Sequence, residues 1–173
     1  MSVSFYDASV ASYLQSLDAV GRFLEKSHAH CVEKGIDPQE VVKASIHPDM
    51  LPFRFQVISI AHHSAGAVEA VKTGTFAPPK DPGTLDWNGL AQLVSAARTA
   101  LGAVDRAAFE AQADNDVVFK LGERAIPFRA SDFILSFSLP NYYFHVTTAY
   151  DILRGRGVPL GKRDFLGMFR MKR

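Results

Sequence analysis

Cysteine is nearly absent from this chain. Cys31 is the only one in 173 residues, so no disulfide can form within the chain and no zinc site of cysteines can be built. An excess of one charge is also missing. Lys and Arg number 19 against 18 Asp and Glu, a net charge of +1, which gives no reason to expect nucleic acid, an acidic polymer or a membrane as the main partner. No apolar run approaches the roughly 18 residues of a spanning helix. Residues 1–13 include Asp7 and lack the basic and apolar blocks of a signal peptide, so a soluble cytoplasmic protein is expected. A Gly-rich phosphate loop, a Gly-x-Ser-x-Gly elbow, a Cys-x-x-Cys pair and a His-Glu-x-x-His helix are all missing, and the chemistries they serve go with them. At 47% hydrophobic residues the chain can bury one substantial core, and a single domain over residues 1–173 is expected.

What is present is helical periodicity. Over residues 4–34, Val10, Tyr13, Leu14, Leu17, Gly21, Leu24, His28 and Cys31 recur at three- and four-residue steps, with Ser4 as N-terminal cap and Gly35 as stop. A metal held by His28 and Cys31 is less ordinary than core packing, since free Cys is commonly buried. Residues 36–52 form a connection with a short helical piece at 39–44. Asp49 is read as the cap of a second helix over residues 50–72, whose apolar residues cover nearly its whole circumference. Such a helix is central or lies in an oligomer interface, and a homodimer is expected. His62 lines up with Leu51, Phe55 and Ile58, whereas His63 shares a polar column with Gln56 and Ser59. The spacing does not say which histidine faces the core. Residues 73–83 are a Pro-rich loop, and Asp86 caps a third helix with Leu90, Leu93, Val94, Ala97, Leu101 and Val104 on one stripe. A further helical turn is expected at 105–111. Alternation over residues 116–128 around Gly122-Glu123 marks a β-hairpin.

Ser131 opens the last long helix, over residues 131–154, and Pro140 within it predicts a kink. Its apolar stripe is interrupted by a column of hydrogen-bonding side chains, Ser138, Asn141 and His145, with Thr148 in line and Tyr142 on the flank. Buried polar groups of this kind cost roughly 1–3 kcal/mol each unless they find partners. The column therefore implies matching groups on another element, or a ligand. The basic tail from Arg154 to Arg173 reads as a solvated or packed extension before it reads as an anion site.

Three stretches, SVSFYDASV at the N-terminus, PDMLPFRFQVISIA at the second helix and NYYFHVTTAYDILRGRGVPLGKRDFLG near the end, resemble the bacterial domain-of-unknown-function family numbered nineteen ninety-three. That family is a branch of the DinB/YfiT-like superfamily, whose members carry a metalloenzyme fold. The resemblance implies an all-α fold, a four-helix bundle with the small β-hairpin placed before the last helix. It also implies a divalent metal, zinc or nickel, held by three histidines, one from the second helix and two spaced four apart on the last. Here the matches are His62 or His63 and His145. Ala149 stands where the third ligand belongs, and Asn141, four residues before His145, is a poor substitute for imidazole.

These residues leave three functional readings. In the first, Ser138, Asn141, Tyr142, His145 and Thr148 line a metal-free pocket for a small molecule. In the second, His145 and a second-helix histidine hold a divalent metal that activates a thiol cofactor or water for transfer or hydrolysis. In the third, the polar column is a satisfied network that fixes helix register, and the protein acts through an interface.

Overall fold

In the computed structural model, which describes residues 3–172, helices α1 (Phe5–Ala8) and α2 (Val10–Lys34) replace the single first helix expected from periodicity. The chain turns at Ser9, whose hydroxyl donates to the Phe5 carbonyl at 2.5 Å. Ser4 caps α1 as expected, accepting from the Asp7 amide. Gly35 ends α2 in the left-handed conformation. The buried face of α2 is Val10, Tyr13, Leu17, Val20, Phe23, Leu24, Ser27 and Cys31, while Gly21 is exposed and His28 half-buried against Trp87. After α3 (Pro38–Val42), Asp49 does not cap the second bundle helix. It pairs with His47, and α4 (Phe53–Ala61) begins after Pro52. The helix then widens into a π turn at His62–Gly66 before continuing as α5 (Ala67–Thr73). Gly66 is what lets the His62 ring lie against the helix, because a Cβ there would stand 3.2 Å from His62 Nδ1.

The third bundle helix, α6 (Trp87–Gly102), starts on an Asp86 cap, and α7 (Arg106–Glu110) on an Asp105 cap. A sheet of order β1-β2-β3 follows from β1 (Thr75–Phe76), β2 (Asp116–Leu121) and β3 (Arg124–Arg129). The β2–β3 pair is the hairpin expected around Gly122-Glu123. The parallel pairing of β1 with β2 adds a strand from the loop that had been read as irregular. The last bundle helix is α8 (Ala130–Asp132), a second π turn at Phe133–Ser138, and α9 (Leu139–Gly155). Pro140 sits in the first turn of α9, so the expected disruption takes the form of a π turn just ahead of it. Proline has no amide to offer the preceding turn, and around it Asn141 Nδ2 donates to the Phe137 carbonyl and Ser136 Oγ to that of Asp132.

The bundle is assembled by α2 against α6, α4 against α6 and α9, and the sheet against one end. Both faces of α4 are used within the chain. Phe53, Val57, Ile58, Ile60 and Ala61 are all buried, with Phe53 stacked on Trp87, so the apolar circumference of this helix marks it as central. From the basic tail, Val158 and Leu160 are buried. Helix α10 (Lys162–Leu166) lies on α2 through the Lys26–Asp164 pair and a bond from Gln15 to the Leu166 carbonyl. That part of the tail is a packed extension. Ser2, from the N-terminal stretch quoted above, and Arg173 of the tail lie outside the described residues.

Candidate functional site

The two π turns lie in the two bundle helices that face each other, and they meet. Ser138, the last residue of one, donates its hydroxyl to the carbonyl of His63 in the other at 2.8 Å. The same oxygen lies 3.3 Å from His63 Nδ1. Since the hydroxyl proton is committed to the carbonyl, His63 Nδ1 is the donor in that second contact and its Nε2 carries the free lone pair. A π turn inserts a residue into a helix, shifts the side-chain register and occurs often at functional sites. Gln56 and Ser59 of α4 and His63 at the start of the π turn all face into the bundle, at 2%, 0% and 6% exposure.

His145 is held by the same logic. Gln56 Nε2 donates to the Leu51 carbonyl at 2.7 Å, which orients the carboxamide and aims Oε1 at His145 Nδ1, 2.8 Å away. An amide oxygen only accepts, so His145 Nδ1 bears the proton and Nε2 is again bare. The two imidazoles stand side by side, ring centroids 5.7 Å apart and planes 21° from parallel. No hydrogen bond reaches either Nε2 among the described residues, and neither atom belongs to the buried unpartnered set formed by Tyr13 Oη, Ser59 Oγ, Gln112 Oε1 and Tyr142 Oη. Burial, and then the neighbouring His145 and His62, push His63 down to about 3. Burial alone pushes His145 down to about 4. Both rings are therefore neutral acceptors at physiological pH. Phe55, Phe76, Phe137 and Phe144 surround them, at 5.3–6.1 Å from one ring or the other.

The remaining residues of the expected sites fall elsewhere. His62, next to His63 and edge-on to it with ring centroids 5.7 Å apart, stacks on Phe76 at 4.4 Å and donates Nε2–H to the Ala77 carbonyl at 2.6 Å. Asn141 is engaged with the Phe137 carbonyl and Thr148 with that of Phe144. Tyr142 is fully buried on the face toward α2, edge-on to Tyr13 at 4.9 Å. Of the five side chains expected to share a pocket, Ser138 and His145 join the histidine pair, and Asn141, Tyr142 and Thr148 do not. Gln56 was not among the expected site residues. Its signal was its place on the His63 column, three and seven residues from Ser59 and His63.

A three-ligand metal centre does not fit this donor set. Among the described residues no group of three His, Cys, Asp or Glu side chains converges on a metal position. Position 149 is a buried alanine, His62 Nε2 is engaged with the Ala77 carbonyl, and the Asn141 amide donates to a backbone carbonyl.

The family described as domain of unknown function DUF1993 matches residues 5–166. The chain belongs to that family. Among solved structures, it is similar to a DinB family member protein from Shewanella denitrificans at 24% identity, covering 97% of this chain and 94% of that one with a TM-score of 0.80. At that identity the likeness establishes a shared fold, the DinB-like helical bundle. None of the curated proteins matches this chain. No described helix is long and apolar enough to cross a membrane.

Proposed function

We propose that this bundle binds a small, flat, uncharged molecule that donates hydrogen bonds, with His63 Nε2 and His145 Nε2 as the paired acceptors. The observation that carries this reading is the Nδ1 anchoring of both rings, by Ser138 and Gln56. It fixes one tautomer in each ring and leaves a neutral lone pair on each of two neighbouring imidazoles. The aromatic surround supplies the apolar walls typical of small-molecule sites, in which a few polar groups set orientation. Burial that suppresses protonation of both rings also disfavours a cationic ligand there. Uncharged donors such as aryl ureas and phenols are the matching class.

A metal-dependent, thiol-using transferase or hydrolase would require a zinc or nickel centre, and among the described residues no three His, Cys, Asp or Glu side chains converge to hold one. The two-imidazole arrangement without an added metal serves the binding role. Phenylurea and resorcinol, titrated into metal-free protein, should raise its melting temperature and shift the Nε2 nitrogens of His63 and His145. Loss of both effects in metal-free protein, with recovery on adding stoichiometric zinc or nickel, would overturn the reading in favour of a metal site.

Near His145, Leu51 and Phe144 are exposed, each more than half accessible. We place the homodimer contact on this patch, since the apolar surface of α4 is consumed within the chain. Light scattering at micromolar concentration should return twice the chain mass, and Phe144→Glu should return the monomer. The cytoplasm, where an uncharged metabolite is freely available, is the compartment that suits such a protein.

A further inference from the structure

A cavity of about 420 Å³ lies between α4 with its π turn and α6, lined by His62 and by neither His63 nor His145. Its walls are small and apolar, among them Ile58, Ala61, Ala65, Leu93 and Ala97, and the loop carrying Pro79 and Lys80 covers one edge. Lys80 is the only charged residue that lines it. That side chain is exposed and belongs to none of the ion pairs among the described residues. The loop is fastened at both ends. His62 donates to the Ala77 carbonyl at 2.6 Å. Arg54 Nε lies 3.0 Å from both carboxylate oxygens of Asp81, which in turn accepts from the Gly83 amide. Lys80 is thus carried at the rim on backbone tied down three residues before it and one after.

We propose that this cavity binds a monocarboxylate with an unbranched apolar chain of fatty-acid type, the chain along the alanine-rich wall and the carboxylate at Lys80. The volume falls within the range of small-molecule sites. Alanine and glycine on two adjacent helices leave a smooth trough in which methylene groups can be buried, a gain of roughly 0.8 kcal/mol for each. One lysine is a single point charge without the bidentate geometry that phosphate recognition favours, so one negative charge matches it better than two. Lys80 next to apolar walls also opposes an alkylammonium of the same length. The histidine pair His63 and His145 does not line this cavity, and this proposal does not depend on it.

The test uses full-length protein with its alanine methyl groups labelled with ¹³C, titrated with decanoate below its micelle-forming concentration, and with decyltrimethylammonium as the charge control. Decanoate should shift the methyl signals of Ala61, Ala65, Ala96 and Ala97 while the His63 and His145 rings stay unchanged. Lys80→Glu, a surface substitution, should weaken binding about tenfold, the size of reversing one exposed ion pair. Ala100→Trp, at an exposed lining position, should abolish it by filling the trough. Absence of methyl shifts with the wild-type chain, equal binding by decyltrimethylammonium, or undiminished binding by Lys80→Glu would overturn the proposal. Shifts at the histidine rings in place of the alanines would overturn it equally, by assigning decanoate to the other site.

Discussion

Gln56 and His145 are joined across the bundle by a 2.8 Å hydrogen bond whose direction is fixed from behind, because the other end of the Gln56 carboxamide donates to the Leu51 carbonyl. The chain of contacts runs from a backbone carbonyl through an amide to an imidazole. It decides which nitrogen of His145 is available to anything that enters the site.

Gln56→Glu tests this connection. A carboxylate at the Gln56 Oε1 position favours the protonated imidazole, as a nearby opposite charge does. The His145 pKa, held at about 4 in the native chain, should rise by at least one unit in the variant. An NMR titration of the ring carbon signals reads it directly, and an unchanged value would mean that Gln56 does not face His145.

Stability should depend on pH through the same two rings. His63 and His145 have folded values of about 3 and about 4 against an ordinary 6.5, so below pH 6.5 the unfolded chain takes up protons that the folded chain refuses. The contribution of both rings is complete above about pH 6.5. It is lost progressively as pH falls toward 4, on the order of 2–3 kcal/mol per ring. Urea unfolding at pH 7.0 and pH 4.5 measures the loss. His145→Phe should lose less over the same interval, because one of the two rings is gone.

Much of this was legible in the sequence. The Asp86 cap, the α6 stripe and the Gly122-Glu123 turn lie in local patterns that the fold leaves intact. Two polar columns, Gln56-Ser59-His63 and Ser138-Asn141-His145, were also visible, and facing one toward the other gives Gln56 a partner in His145 and His63 a partner in Ser138. The choice between His62 and His63 was not legible, because nearly the whole circumference of the helix before them is apolar or buried and either column could face the core. Strand β1 escaped for a different reason. Two residues carry no alternation, and Phe76 is buried through pairing with a strand about forty residues away. Asn141 and Thr148 are polar on a helix face because they bond the carbonyls four residues before them, a local role that a column of letters does not distinguish from a pocket.

Ser138→Ala should be costly. Ser138 is fully buried and serves both the carbonyl and Nδ1 of His63, and removing a partner from buried polar groups costs roughly 1–3 kcal/mol. Chemical denaturation should register a loss in that range, with the His63 ring signal broadened or displaced. A loss below about 0.5 kcal/mol would mean that the contact between the two π turns contributes little.

Tyr142→Phe should behave in the opposite way. The Tyr142 hydroxyl is sealed in the core with only Ser16 near it and no well-formed hydrogen bond, so removing it relieves a poorly satisfied desolvated group and leaves the ring packed against Tyr13. The melting temperature should hold or rise, and binding of phenylurea should not change. A clear fall in either would return Tyr142 to the site.

The most direct test of the paired-acceptor site is a long-range ¹H–¹⁵N spectrum of the histidine side chains at pH 7 in metal-free protein. For both His63 and His145 it should show Nδ1 protonated and Nε2 bare, with the Nε2 signals moving when phenylurea is added. A protonated Nε2, or a charged imidazolium, on either ring would contradict the site described here.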